Sequence, residues 1–297
     1  MKVSGLRLIA LLTGDTGFIG TNMKKLLLEE NVEILGFSRK KGYDIFNKDQ
    51  LRNEVKKCDL AYHFAAEAKP AESVLNPVHT VEVNLMGSLN VLEVCRELRV
   101  PLVYPSSCEI YGDSQTPISE GFPINPTNPY AASKAAIDRF CYMYHKCYGL
   151  DVKIVRLFNP YGPHQQLNKI MPTFYFQALK NMPITVYGDG SDIRDYVYVK
   201  DITKGLWLAK NLPAGEAVNL ATGRATTSLE VAKLVKELTG SSSEIKFVEY
   251  PKAFGGIKAQ VGSYEKAKRL MGWEPETLLK KGLRETIDWL KNWVKGR

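Results

Sequence analysis

The sequence predicts an α/β fold built on a doubly wound parallel sheet. Three observations carry that expectation. Short, β-rich apolar runs alternate with helix-length segments through the first half of the chain. A glycine triplet stands directly between the first apolar run and the first helix. The chain has 297 residues, 44% of them hydrophobic, which is ample for a large core.

The elements follow in order. Leu6 to Thr13 is apolar but short and leads straight into a glycine loop, so it reads as a buried strand (Leu8 to Leu12) and not as a signal segment. TGDTGFIG follows, then a helix from Phe18 to about Glu30. Strand, glycine turn and helix in that order suit a dinucleotide. Gly14 permits the tight turn, Gly17 lets the backbone approach the pyrophosphate, and Gly20 lets helix and strand pack closely. Thr16, Gly17, Phe18 and Ile19 then face the phosphates at the helix N-terminus. Val32 to Phe37 is the second strand. A carboxylate commonly ends that strand and binds the adenosine ribose. Here the chain reads GFSRK, with Ser38 and Arg39, so a guanidinium replaces the acid and NADP is favoured over NAD. Asp44 and Ile45 follow closely, and Asp44 is placed to accept a hydrogen bond from the adenine amino group.

Leu60 to Phe64 is the next strand, and small Ala65 and Ala66 after it allow a cofactor to approach the backbone. Asn76-Pro77 opens a long helix to about Leu98. Leu102 to Tyr104 is a strand expected to end at Pro105, with a loop-like stretch after Gly112. A helix from about Tyr130 to Tyr148 and a strand from Val152 to Arg156 complete the first half. Beyond it, helices are expected over Met171 to Lys180, Ile202 to Lys210, Ser228 to Thr239 (capped by Ser228), Tyr264 to Met271 and Leu283 to Trp293.

Tyr130 and Lys134 lie four apart, on one face of their helix and one turn from each other. A phenol titrates near ~10, and bringing it to about 7 takes roughly 4 kcal/mol. A lysine and a cationic nicotinamide ring supply that together. Ser107 would bridge the phenol and a substrate hydroxyl, giving the proton half of a hydride transfer. Glu109 follows two residues later and Cys108 lies between them. Glu109 is a candidate base and Cys108 a candidate proton donor. An extended segment puts Ser107 and Glu109 on one face and turns Cys108 away.

Composition excludes other classes. The net charge is +8, but the basic residues are spread out, so no nucleic-acid groove is expected. The five cysteines are odd in number with no CxxC pair, which reads as reduced thiols in the cytoplasm. The four histidines show no metal-ligand spacing, and no metal is expected. No apolar run approaches ~18 residues, so no membrane span is expected.

Read together, TGDTGFIG, HFAA, NLMGSLNVLE, SSCEIYG, YAASK, RLFNPYGP, YGDGSDIRDYVYVKDI and KRLMGWEP resemble the extended short-chain dehydrogenase/reductase superfamily, in its nucleotide-sugar epimerase/dehydratase branch. The resemblance implies a Rossmann-type domain (1–160 with about 191–212) and a smaller, discontinuous C-terminal α/β domain (about 161–190 with 213–297) that holds a nucleoside diphosphate sugar. It implies a tightly bound NAD or NADP recycled in each turnover, and a homodimer built on the two long helices. It makes Ser107, Tyr130 and Lys134 the catalytic trio. Asn159, Tyr187 and Arg194 become substrate residues. A second diphosphate arginine common in that branch would fall near Ala253, but no arginine lies between Arg224 and Arg269, so Lys252 or Lys258 takes its place. All members begin by oxidising C4 of the sugar. Related 4,6-dehydratases carry a glutamate where Glu109 stands, as C5 base, and typical 4-epimerases carry Ala, Ser or Thr. The reading therefore leans to a 4,6-dehydratase, with a UDP-sugar 4-epimerase as the alternative. UDP-glucuronate decarboxylase, 4-keto-sugar reductase and a non-catalytic NAD(P) sensor follow.

Overall fold

The computed structural model describes residues 7–250 and 257–295. The expected first half forms in order: Ile9–Thr13 (β1), Phe18–Glu29 (α1), Glu33–Phe37 (β2), Leu60–His63 (β3), the stretch expected as one helix from Asn76 divided into Pro77–Val81, a π-helical turn Glu82–Met86 and Gly87–Leu98 (α2), then Leu102–Ser107 (β4), Pro129–Tyr148 (α3) and Val152–Leu157 (β5). A sixth strand, Ala217–Leu220 (β6), joins them. All pair in parallel, in the order β6-β5-β4-β3-β1-β2. Strand order reverses between β1 and β3, so the carboxyl ends of these two strands frame the crevice where such sheets bind ligands.

Alternation along the strands builds two cores. Leu12, Tyr62, Val103 and Val155 are buried on one face, and Leu11, Ala61, Leu102 and Ile154 on the other. Between β1 and β3, buried His63 binds Thr13 Oγ1 through Nδ1 at 2.6 Å and Ser88 Oγ through Nε2 at 2.8 Å. Burial, then the nearby Lys134 charge, pushes its pKa down to about 3, so the ring is a neutral clamp.

Four details differ from the sequence reading. β4 runs through Pro105 to Ser107. It pairs with β3 only at Leu102 and Val103, so from Tyr104 onward it is half an edge strand, where proline is tolerated. The stretch after Gly112 contains a strand, Ser114–Ile118, paired in parallel with Ala259–Gly262. The helix Ser228–Thr239 is capped by Thr227, not Ser228, in a capping box with Glu230. The domain boundary expected at 213 falls too early, because β6 hydrogen-bonds to β5 and so belongs to the large sheet.

The remaining elements pack as a smaller unit. The helices Ile170–Leu179, Ser228–Thr239 and Leu279–Lys295 share a core with buried Tyr161, Tyr175 and Tyr198. The short strands Thr226–Thr227, Ile193–Arg194, Ala259–Gly262 and Ser114–Ile118 form one sheet, so the smaller unit is stitched to the segment after β4. Among the described residues, no helix is long and apolar enough to cross a membrane.

Candidate active site

The glycine turn is built as its spacing requires. Gly14 has φ +68°, and a Cβ there would lie 2.6 Å from the Ala65 nitrogen, so the turn is pressed against the segment after β3. A Cβ on Gly20 would meet the Gly14 carbonyl at 2.5 Å. Gly17 caps α1 in extended conformation, with no side chain on the cap and no acidic residue in the first turn. The N–H groups at Phe18 and Ile19 are thus open to an anion. The Ala65–Ala66 segment is held by Asn84, which sits on one turn of π-helix (Glu82–Met86). Asn84 Oδ1 accepts from Glu67 N at 2.7 Å, and its Nδ2 donates to Ser133 Oγ at 3.0 Å. One side chain therefore ties the loop after β3 to the helix that carries Tyr130 and Lys134.

The residues expected at the adenosine end follow β2. Arg39 lies exposed on the short turn Arg39–Lys41 after β2. Asp44 is exposed, and its Oδ1 accepts from Phe46 N at 3.0 Å, which closes a local turn. Ile45 is buried in the core.

The reacting end is organised by α3. Asn128 caps the helix, its Oδ1 accepting from Ala131 N at 2.8 Å. Its Nδ2 donates to Glu109 Oε2 at 2.9 Å, so the cap also holds the candidate base. Tyr130 hydrogen-bonds Ser107. Burial first, then the Glu109 charge, pushes the phenol above its ordinary range. Lys134 Nζ donates to Pro105 O at 2.6 Å and stands 4.4 Å from the centre of the Tyr104 ring. Burial lowers its pKa to about 8. One turn further on, Asp138 is locked to Arg156 of RLFNPYGP, with Oδ2 to Nε and Oδ1 to Nη2 both at 2.9 Å.

Ser107, Glu109 and Tyr130 are brought together as anticipated, but by a different local route. The chain coils into a short helical turn, Cys108–Tyr111, capped by Ser107 Oγ accepting from Glu109 N at 3.2 Å. Burial raises the Glu109 carboxyl, opposed by the Asn128 hydrogen bond and the charges of Lys169 and Arg194. Cys108 adjoins the group, near enough for its charge to bear on Tyr130. Its thiol is buried, donates to Gln260 Oε1 at 3.4 Å and is pushed up to about 12 by burial. At that value the thiol stays protonated.

On the substrate side, Asn159 Nδ2 donates to Asp195 O at 3.2 Å and lies 4.0 Å from Cys108 Sγ. Arg194 Nη2 donates to Ile257 O at 2.9 Å. Lys258 pairs with Asp192 at 3.1 Å and overlies the Tyr250 ring, which stacks on Tyr187. Lys252 and Ala253 lie outside the described residues. Sequence reasoning missed Asn128 and Lys169 as neighbours of Glu109. Asn128 carries a visible signal, a cap residue before proline, whereas Lys169 has none.

These parts define a class: a Rossmann-type, nicotinamide-dinucleotide fold of the short-chain dehydrogenase/reductase kind, with a Ser-Tyr-Lys set at the carboxyl end of the sheet. Comparison with known proteins narrows it. The chain belongs to the NAD dependent epimerase/dehydratase family, whose pattern matches residues 10–221. It is 31% identical over 303 residues to the UDP-glucuronic acid decarboxylase 1 of Xenopus tropicalis, covering 95% of this chain and 72% of that one. It superposes on the UDP-glucose 4-epimerase of Thermotoga maritima, solved with UDP-glucose, with a TM-score of 0.92 at 27% identity, covering 97% and 100% of the two chains. It superposes equally on the dTDP-glucose 4,6-dehydratase of Streptomyces venezuelae, solved with NAD bound, with a TM-score of 0.90 at 28% identity, covering 96% and 97%.

Proposed function

We propose that this protein is an NAD(P)-dependent enzyme that oxidises C4 of a nucleoside diphosphate sugar and then eliminates water across C5 and C6, as 4,6-dehydratases do. The observation that carries the reading is Glu109. A carboxyl group raised by burial, held by Asn128 and adjoining Tyr130, is suited to take a carbon-bound proton.

The glycine turn, the open first turn of α1 and the Ala65–Ala66 segment fit a nicotinamide dinucleotide, which when bound supplies the hydride acceptor and donor. Two observations bear on its adenosine end. Arg39 supports a 2′-phosphate and so NADP, whereas a carboxylate that lies against Gly36 supports NAD. This chain's own residues handle protons and orientation. Ser107 and Tyr130 hold the C4 hydroxyl, and Tyr130 takes its proton. Lys134 keeps positive charge beside the phenol. Glu109 takes the C5 proton, which the C4 ketone has made acidic, and passes it to the C6 hydroxyl as the C6–O bond breaks and water leaves. Arg194, Asn159, Tyr187 and Lys258 bind the nucleotide diphosphate and sugar.

A second reading is favoured by the similarity to the glucuronate decarboxylase and the 4-epimerase: the same C4 oxidation, followed by loss of carbon dioxide or by return of the hydride to the other face. Exposed apolar residues next to α2 and α3, among them Leu75 at 72% and Val78 at 70% exposure, with Tyr142 and Tyr148, support a homodimer through these helices. Tyr144 on the same helix is buried against Glu93 and adds nothing to that surface.

The test is incubation with a panel of UDP-, dTDP- and GDP-sugars followed by mass spectrometry, for wild type and Glu109→Gln. Loss of one water from a hexose substrate supports dehydration. The variant should still turn bound cofactor to its reduced form while losing dehydrated product by ~10²–10⁴-fold. Unchanged mass with inverted C4, or loss of carbon dioxide, replaces the dehydratase reading.

A further inference from the structure

The lysine on which the proposed reaction depends is held away from solvent. Lys134 is 6% exposed on α3, and a buried ammonium must find its solvation in the protein. It carries three N–H donors. One goes to Pro105 O at 2.6 Å, on the part of β4 beyond its last pair with β3. The ammonium also stands over the Tyr104 ring, 4.4 Å from the ring centre. Strand alternation turns Leu102 and Tyr104 to the face on which α3 packs, where they share a core with Ile137 and Cys141. Tyr104 is 2% exposed, so the contact is shielded from solvent.

The other groups around Lys134 have little to offer it. Asp138, one turn on, gives both carboxylate oxygens to Arg156 and also pairs with Arg139. Cys141 is buried, and burial holds its thiol well above the ordinary range, so it is neutral. Tyr130, one turn back, is directed to Ser107, and burial keeps it neutral at rest. On β3, His63 is a neutral ring clamped by Thr13 and Ser88. Its centre lies 6.2 Å from that of Tyr104 with the planes 29° apart, so it backs the Tyr104 ring and brings no charge. The face of the Tyr104 ring, negative by its quadrupole, is therefore the group that answers the ammonium without being committed elsewhere.

We propose that Tyr104 is a positioning residue for the reaction: its ring face seats the Lys134 ammonium and keeps it charged, so that Lys134 can stabilise the Tyr130 phenolate. Tyr104 acts through Lys134. Removing the ring leaves the amine to the full effect of burial. Removing the Tyr104 hydroxyl alone does not, because a phenyl ring presents the same attractive face.

The inference rests on the C4-oxidation part of the proposed function, and its first test does not need the reaction. Lysine isotopically labelled at Cε is titrated by NMR in cofactor-free protein, with Lys134 assigned by its loss in Lys134→Met. In wild type the Lys134 Hε signals should be displaced upfield by the ring, and the titration should centre at about 8. Tyr104→Leu should lower that midpoint by about one pH unit or more, as loss of a desolvated cation–π contact implies. Tyr104→Phe should leave it in place. Tyr104→Met, with a large flexible side chain and no ring, covers the case in which Tyr104→Leu fails to fold. Undisplaced Hε signals in wild type, a midpoint that Tyr104→Leu and Tyr104→Met leave unmoved or raise, or one that Tyr104→Phe lowers as far as they do, overturns the assignment. The second test is single-turnover cofactor reduction by sugar against pH. Its alkaline limb, where Lys134 loses its proton, should move to lower pH in Tyr104→Leu and stay in Tyr104→Phe; a limb that Tyr104→Leu leaves in place also overturns the assignment. No cofactor reduction by wild type with any nucleotide sugar counts against the proposed function, and the NMR titration still decides the role of Tyr104.

Discussion

The charge pair behind the catalytic helix sets a demanding test of how this site is held. Tyr130, Lys134 and Asp138 occupy successive turns on one face of α3, and Asp138 is the peg that fixes that face to β5. It is 0% exposed, its partner Arg156 is 2% exposed, and two hydrogen bonds of 2.9 Å join them. Arg156 also donates to Tyr111 Oη at 2.7 Å and Glu120 O at 3.1 Å. Asp138→Asn keeps the shape and removes the charge, which leaves a guanidinium buried among neutral acceptors. Breaking one side of such a pair costs roughly 3–5 kcal/mol, a large share of a typical folding free energy. The Asp138→Leu/Arg156→Met double variant should lose less than the sum of its single changes, because it strands no charge. Burial opposes ionisation of Asp138, but Arg156 and Arg139 outweigh it, so its folded pKa lies below the ordinary value of 3.8. The pair therefore contributes fully above that value and is lost as pH falls through the lower folded one. Urea unfolding at neutral and acidic pH measures both effects. A cost below about 1 kcal/mol for Asp138→Asn, or an acid limb identical to wild type, would refute the argument.

Three further outcomes are expected. Tyr130→Phe should keep the thermal midpoint while turnover of any nucleotide sugar falls by at least ~10²-fold. Lys134 has a folded pKa of about 8 against an ordinary 10.5, so the unfolded chain binds more protons between those values. The stability of cofactor-free protein should then rise across that window by up to about 3 kcal/mol, and Lys134→Met should flatten the rise in pH-dependent denaturation curves. Sedimentation at micromolar concentration should show a dimer, and Leu75→Glu/Val78→Glu should yield a particle of one 33.3 kDa chain; an unchanged dimer would move the interface elsewhere.

Local patterns were legible where a single stretch carries the physics. Gly14 needs its positive φ whatever surrounds it, and the four-residue step from Tyr130 to Lys134 fixes their common face. Features that depend on distant pairing were not. The strand Ser114–Ile118 exists because residue 114 meets residue 260, and its own sequence, SQTPI, offers no alternation to announce it. Pro105 reads as a terminator until β3 is known to stop short of it. The approach of the Asp15 carboxylate to Gly36 likewise needs the β1–β2 register, which GFSRK alone does not carry.

Tyr130 and Glu109 also bear on one another. Burial and the Glu109 charge both raise the Tyr130 phenol, and burial raises the Glu109 carboxyl. Neighbouring groups that each penalise the other's charge divide the labour of acid and base. In the proposed reaction, the phenolate is the form that works before C4 is oxidised, and a charged Glu109 beside it is unfavourable. Once Tyr130 has taken the hydroxyl proton it is neutral, and the penalty on an ionised Glu109 disappears at the step that needs it. The proposed reaction thus places the Tyr130 transfer before the Glu109 transfer. A consequence follows for the first of them. Removing the Glu109 charge should lower the phenol's pKa, so the acid limb of the oxidation half-reaction in Glu109→Gln should move to lower pH than in wild type. Single-turnover stopped-flow measurement of cofactor reduction against pH reads that limb directly, and a limb that stays in place, or moves to higher pH, means that Glu109 does not face the phenol during the reaction.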